Sequence, residues 1–126
     1  MRALARSGGL VVAAELSTFD GFMIYRMRIY HAEPNGVAAF NEFFNTLLLP
    51  VQLRHGARLV GRWQTEDLRI VAVWEYDSRQ AYEEISARVR SDPDFALAQA
   101  RRRSLPRFFS RREEVFMSDT VVLATD

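Results

Sequence analysis

The order of elements predicts an α+β fold: strand, helix, strand, strand, helix, strand, giving a four-stranded antiparallel sheet with both helices on one face. Three observations carry it. Met23 to His31, MIYRMRIYH, alternates with a period of two, as a strand does. Ala57 to Thr65 and Arg69 to Tyr76 are two more strand patterns, and the few residues between them around Glu66-Asp67 leave room only for a hairpin. A helical apolar stripe lies on each side of that hairpin.

The first strand has two unlike faces. Met23, Tyr25, Met27 and Ile29 are apolar, whereas Ile24, Arg26, Arg28 and Tyr30 set two arginines between an aliphatic and an aromatic residue. Glu33-Pro34-Asn35-Gly36 is a turn cluster. Val37, Phe40, Phe43, Phe44, Leu47, Leu48 and Val51 then recur at helical spacing. Pro50 has no N–H for the helical ladder, so a kink or restart is expected there. Arg54-His55-Gly56 reads as a helix end, with basic groups in the last turn and a glycine free to turn left-handed.

The third strand is apolar on both sides, Val71 and Val73 on one and Ile70, Ala72, Trp74 and Tyr76 on the other, which suits a central strand. Asp77-Ser78 supplies an N-cap for a helix marked by Ala81, Tyr82, Ile85 and Val89. Pro93 opens a further helical segment carrying Phe95, Leu97, Ala98 and Leu105. Arg101, Arg102 and Arg103 read as its solvated end, favoured by the helix dipole. Arg112 to Ser118 is the fourth strand. In the tail, Val121 to Leu123 is an apolar centre suited to pairing with an edge strand or a partner subunit.

Right-handed crossovers put the helices on one side of the sheet. The first and third strands are expected as parallel neighbours at its centre. Tyr25, Met27, Ile29, Val71, Val73, Val115 and Met117 are expected to pack beneath the helices. That leaves Ile24, Tyr30, Ile70, Trp74, Tyr76 and Phe116 on the open face, an aromatic patch that soluble monomers rarely leave bare. A homodimer with facing sheets is the expected remedy.

Composition narrows the function. With 126 residues the chain is most simply one domain, read as residues 23–126 after an extension, 1–22, that takes no part in the chemistry. Hydrophobic residues at 48% exclude a disordered chain, and a net charge of +1 offers no global field for nucleic acid or a membrane surface. There is no cysteine, which excludes thiolate chemistry and fits a reducing, cytoplasmic setting. There is no lysine either, so Schiff-base chemistry is excluded. No run approaches the ~20 apolar residues of a membrane span. Two histidines with no clustered carboxylates make no metal site. No nucleophile elbow, phosphate loop or dinucleotide fingerprint occurs, and no cofactor is implied.

Several stretches in order, IYRMRIY, the phenylalanine-rich helix, LLLPVQLRHGARLVGRW, VAVWEYDS and SDPDF, resemble the NIPSNAP family from about Met23 to Ser118. The resemblance implies a ferredoxin-like fold assembled as a dimeric α/β barrel. The wider superfamily includes cofactor-independent monooxygenases, haem-degrading enzymes, isomerases and dehydratases. Two positions depart from the pattern the resemblance implies. Ala72 stands where a polar residue, commonly histidine, is usual, and Arg26 where an acidic residue is usual.

The candidate ligand-binding residues are Arg28, Tyr30, Trp74, Tyr76 and Trp63. An arginine among aromatic rings in a water-poor chamber holds a carboxylate, phosphate or enolate oxygen while the rings hold an apolar body. The competing expectation is structural: Glu114, beside Arg28 on the fourth strand, neutralises it without a ligand. Arg26 is expected at the rim or in solvent. Trp63 is placed on the second strand without a decided face. Tyr30 and Tyr76 serve as hydrogen-bond donors. His55 is read as capping a helix and His31 as a solvated strand end; haem binding would need one of them in the chamber. Two classes of function remain: a cofactor-independent oxygenase, isomerase or cyclase acting on a mainly apolar molecule with an anionic or carbonyl end, and a non-catalytic binding or scaffold protein of the same fold.

Overall fold

A computed structural model describes residues 22–121; residues 1–21 and 122–126, which carry most of the proposed extension and the apolar tail centre, lie outside the described part. Strand β1 spans Ile24–Ala32. A 3-10 turn, Pro34–Gly36, leads into α1, Val37–Phe43, then a π-helical turn, Phe44–Leu48, and α2, Leu49–Arg54. Strands β2, Arg58–Gln64, and β3, Arg69–Tyr76, form the hairpin. Helices α3, Arg79–Arg90, and α4, Pro93–Arg102, precede β4, Phe109–Met117.

The break expected at Pro50 is the π turn. The proline ring would strike the carbonyl four residues back, that of Thr46. The chain widens instead: Leu49 N–H reaches past it to the carbonyl of Phe44, and Pro50 falls in the first turn of α2. Gly56 takes φ 101° after the α2 end, the left-handed geometry expected there. Ser78 caps α3 by accepting from the Ala81 N–H at 3.0 Å, and Asp92 caps α4 through the Asp94 N–H at 2.8 Å. Strand β4 starts three residues earlier than expected, at Phe109, because Ala32 pairs with that residue across an irregularity in register.

The sheet order is β2-β3-β1-β4, antiparallel throughout. The central pair β1 and β3 is therefore antiparallel, not parallel as expected. The crossover makes β1 parallel to β2, and the hairpin then reverses β3 against both.

The faces are also opposite to those expected. Ile24, Ile70, Ala72, Trp74 and Tyr76 are buried beneath the helices, with Phe44, Val51, Ile85 and Val89 packed on that side. A second cluster joins Phe40, Phe43, Ala98 and Phe108 to Ile70. Tyr25, Met27, Ile29, Val71, Val73 and Met117 lie half-exposed on the outer face with Val115. The reason is volume. The rings of Trp74 and Tyr76 fill the deep space between sheet and helices, which the smaller Val71 and Val73 on the other side of β3 would leave underfilled. The arginines of β1 thus look toward the helices.

Candidate functional site: an arginine-lined cavity between sheet and helices

Between the two core clusters the packing leaves a cavity of about 220 Å³. Its floor is the helix-facing side of β1 and β3: Arg26, Arg28, Tyr30, Ala72 and Trp74. Its roof comes from α1, the π turn, α3 and α4, and Phe108, Phe109 and Arg112 close one end. The opening under the helices exists partly because Ala72 is small. It lies between Arg28 on β1 and Arg62 on β2 in one cross-strand row, so no side chain fills the middle of that row.

Arg28 is the focal group. Its side chain is 13% exposed, its guanidinium lies 5.3 Å from the Tyr30 ring, and its Nε, buried, has no hydrogen-bond partner. Glu114 sits opposite Arg28 in register and forms a long ion pair with it without a hydrogen bond: Arg28 Nε is 3.7 Å from Glu114 Oε2, the oxygen to which Arg26 Nε donates. The titration shifts follow. Burial disfavours charge on both arginines; at Arg26 the Glu114 bond overrides it and the guanidinium is pushed up, while at Arg28 burial prevails and pushes it down. The carboxylate expected to neutralise Arg28 is shared: it is hydrogen-bonded to Arg26 and only ion-paired, at longer range, with Arg28. Arg26, expected at the rim, is 12% exposed and forms part of the cavity wall, its guanidinium 5.1 Å from the Tyr82 ring.

Arg28, Tyr30 and Trp74 are brought together. Tyr76 and Trp63 are not part of the lining. Tyr76 is 2% exposed, packed edge-on against Tyr82 at 5.1 Å, and burial pushes its phenol up despite the opposing charge of Arg26. Trp63 pairs with Val71 and so lies on the outer face, 53% exposed. Its ring rests on Gly61, where an added Cβ would stand 2.3 Å from the indole. The histidines are elsewhere too. His31 contacts Glu113 at 2.7 Å beside Arg111, and His55 contacts Asp92 at 2.7 Å next to Arg54. Neither offers the cavity an axial ligand. Among the described residues no cluster of histidine and carboxylate groups is suited to a metal.

Sequence reasoning missed Arg102, Arg112 and Arg62. Arg102 is not solvated as expected; it lies 5.2 Å from the Phe108 ring and 5.1 Å from Phe109 at the cavity end. The signal was present: Phe95, Ala98, Arg102 and Leu105 follow one another at helical spacing, so Arg102 belongs to the inward stripe of α4. Arg62 is sandwiched 4.8 Å from Phe40 and 4.4 Å from Phe44 and donates to Asn41 Oδ1 at 2.7 Å, leaving Nε and Nη2 without partners.

The sequence profile of NIPSNAP matches residues 25–120. The chain belongs to the NIPSNAP family. Solved structures agree in fold. An uncharacterised NIPSNAP domain protein from Burkholderia xenovorans is 22% identical, with a TM-score of 0.69, over 81% of this chain and 99% of that one. A NIPSNAP family protein from Agrobacterium tumefaciens is 24% identical, with a TM-score of 0.66, over 77% and 87%. More distantly, the cofactor-independent oxygenase SnoaB from Streptomyces nogalater is 17% identical, with a TM-score of 0.54, over 82% and 98%. No curated protein matches the chain. The NIPSNAP fold here is ferredoxin-like, and no helix among the described residues is long and apolar enough to cross a membrane.

Proposed function

We propose that this NIPSNAP protein binds a small, mainly apolar molecule in the cavity, with an anionic or carbonyl end on Arg28 and a body against Tyr30, Phe40 and Trp74. The observation that carries this reading is Arg28: its buried Nε has no hydrogen-bond partner, and its ion pair with Glu114 is long, 3.7 Å, through the oxygen already bonded to Arg26. A buried donor left without an acceptor is costly, so an oxygen supplied by a ligand is strongly favoured there. A cavity of ~150 Å³ accepts benzene in the well-studied lysozyme case. The 220 Å³ here therefore suits one ring with substituents.

The chemistry such a site supports is stabilisation of an enolate or carboxylate oxygen by Arg28 beside aromatic walls. The lining hydroxyls that can donate a hydrogen bond are the phenols of Tyr30 and Tyr82 and the hydroxyl of Ser86. This fits a cofactor-independent oxygenase, isomerase or cyclase, where the bound molecule supplies its own reactive electrons. SnoaB, a cofactor-independent oxygenase, shares the fold and supports the reading by analogy only. The scaffold alternative rests on a closed interior with Arg28 paired to Glu114; that ion pair is present at 3.7 Å, and what weighs against the alternative is the open cavity and the Glu114 hydrogen bond to Arg26.

The same reading includes a homodimer, now through the outer sheet face. Met27, Ile29, Val71, Val73, Val115 and Trp63 give that face a continuous apolar surface, which favours a two-fold partner. The cysteine-free chain suits the cytoplasm.

The test uses the full chain carrying Trp63→Phe, so that Trp74 alone reports from the cavity. Benzoate should quench or shift its emission in a saturable way. Arg28→Gln should weaken that binding by at least about tenfold, with circular dichroism and light scattering unchanged. Equal benzoate binding by Arg28→Gln would reject the assignment, as would loss of the fold or dimer in place of binding.

A further inference from the structure

The charge balance of the cavity exceeds what one anionic group can meet. Five of its lining residues are arginines, Arg26, Arg28, Arg90, Arg102 and Arg112, and none is aspartate or glutamate. Glu114, just behind the wall, is bonded to Arg26. Arg102 and Arg112 take part in no salt bridge among the described residues. They sit together at the end closed by Phe108 and Phe109, with Arg112 opposite Tyr30 in register and Arg102 over both phenylalanine rings. Arg112 lies one diagonal step from Arg28 on the neighbouring strand, on the same sheet face. That separation, ~7–8 Å between backbones, is within the span of a single substituted ring and two guanidinium arms.

Such a cluster has two outcomes. Either the like charges are left facing one another beside aromatic walls, or a second anion joins them. Arginine forks on a rigid aromatic bed are well shaped for a carboxylate.

We infer that Arg102 and Arg112 form a second anion subsite, so that the ligand class is a small dicarboxylate with an apolar middle, one end on Arg28 and the other between Arg102 and Arg112. This rests on the binding reading above and narrows it.

The experiment titrates the Trp63→Phe full chain with benzoate, with each of the three benzenedicarboxylates, and with inorganic phosphate. The three isomers sample different carboxylate separations, so one poor fit does not decide the matter. The best isomer should bind at least about tenfold more tightly than benzoate. Arg112→Gln, at an exposed position where folding is not at risk, should remove most of that advantage. Arg102→Gln should do the same. If benzoate binds through Arg28 and no dicarboxylate exceeds it, the second subsite is overturned while the binding reading stands. If phosphate binds as tightly as the best dicarboxylate and loses affinity in Arg112→Gln, the dicarboxylate class is overturned in favour of phosphate. If none of these anions binds, both readings fall.

Discussion

Gly36 is the position where the smallest added group meets the most rigid neighbour. A Cβ there would stand 2.2 Å from the carbonyl oxygen of Arg107, a backbone atom that cannot swing aside. The glycine is needed for space, its φ of −106° being open to any residue. Gly36→Ala should therefore cost on the order of 1–3 kcal/mol, the usual range for overpacking, read as a lower urea midpoint. It should also disturb benzoate binding, because Arg107 leads directly into Phe108 at the cavity end. A second residue-level expectation concerns acid. The Arg54 guanidinium, the His55 ring and the Asp94 N–H hold the Asp92 carboxyl well below the usual carboxylate range. The unfolded chain then binds the proton first, so this contribution is complete above the ordinary aspartate value and is lost as pH falls below it. Urea midpoints measured from pH 6 down to pH 3 should fall less steeply in Asp92→Asn, which keeps an N-cap side chain.

At the scale of elements, the helix caps carry local specification. Ser78 accepts the Ala81 N–H, and Ser78→Ala should lower stability by about 1 kcal/mol, measured by chemical unfolding. Most elements were legible in the sequence: β3 runs from Arg69 to Tyr76 as expected, the cap at Ser78 is where the sequence puts it, Pro93 opens α4, and Gly56 ends its helix. What was not legible was orientation. A period of two distinguishes the faces of β1 and β3 but not which face is inside when both are apolar, as they are in β3. The site inherited that ambiguity. Arg28, Tyr30 and Trp74 line one cavity as a group because they share a face, whichever way it points. Trp63 was misgrouped because its face on β2 depends on the register shift between Leu59 and Gly61, which no spacing in the sequence announces. The commitment of Glu114 to Arg26 was hidden for a different reason: both arginines are within its reach, and side-chain packing decides between them.

For the whole molecule, the reversed faces separate two roles. The helix-facing side holds the cavity, and the outer side is the face on which the proposed homodimer would close. Val71→Glu, at the centre of the outer face between Ile29 and Trp63, should give a monomer by light scattering while benzoate still binds. Loss of binding along with the dimer would show that the chamber needs the partner, contrary to the arrangement described here.

An arginine-only set of charges has a further consequence. Guanidinium groups keep their proton throughout the range in which proteins are studied, and no histidine, aspartate or glutamate lines the cavity. The lining charges are therefore constant between mild acid and mild alkali. At the nearest titratable group, Glu114 behind the wall, partial burial pushes the carboxyl up, but the Arg26 hydrogen bond overrides this and holds it below the usual carboxylate range. A pH midpoint in binding that lies above the titration of Glu114, measured where the fold is intact, belongs to the guest. For a guest of unknown structure, that midpoint reads out its own ionisation constant, and the protein becomes a fixed electrode against which candidate molecules can be sorted by their acidity.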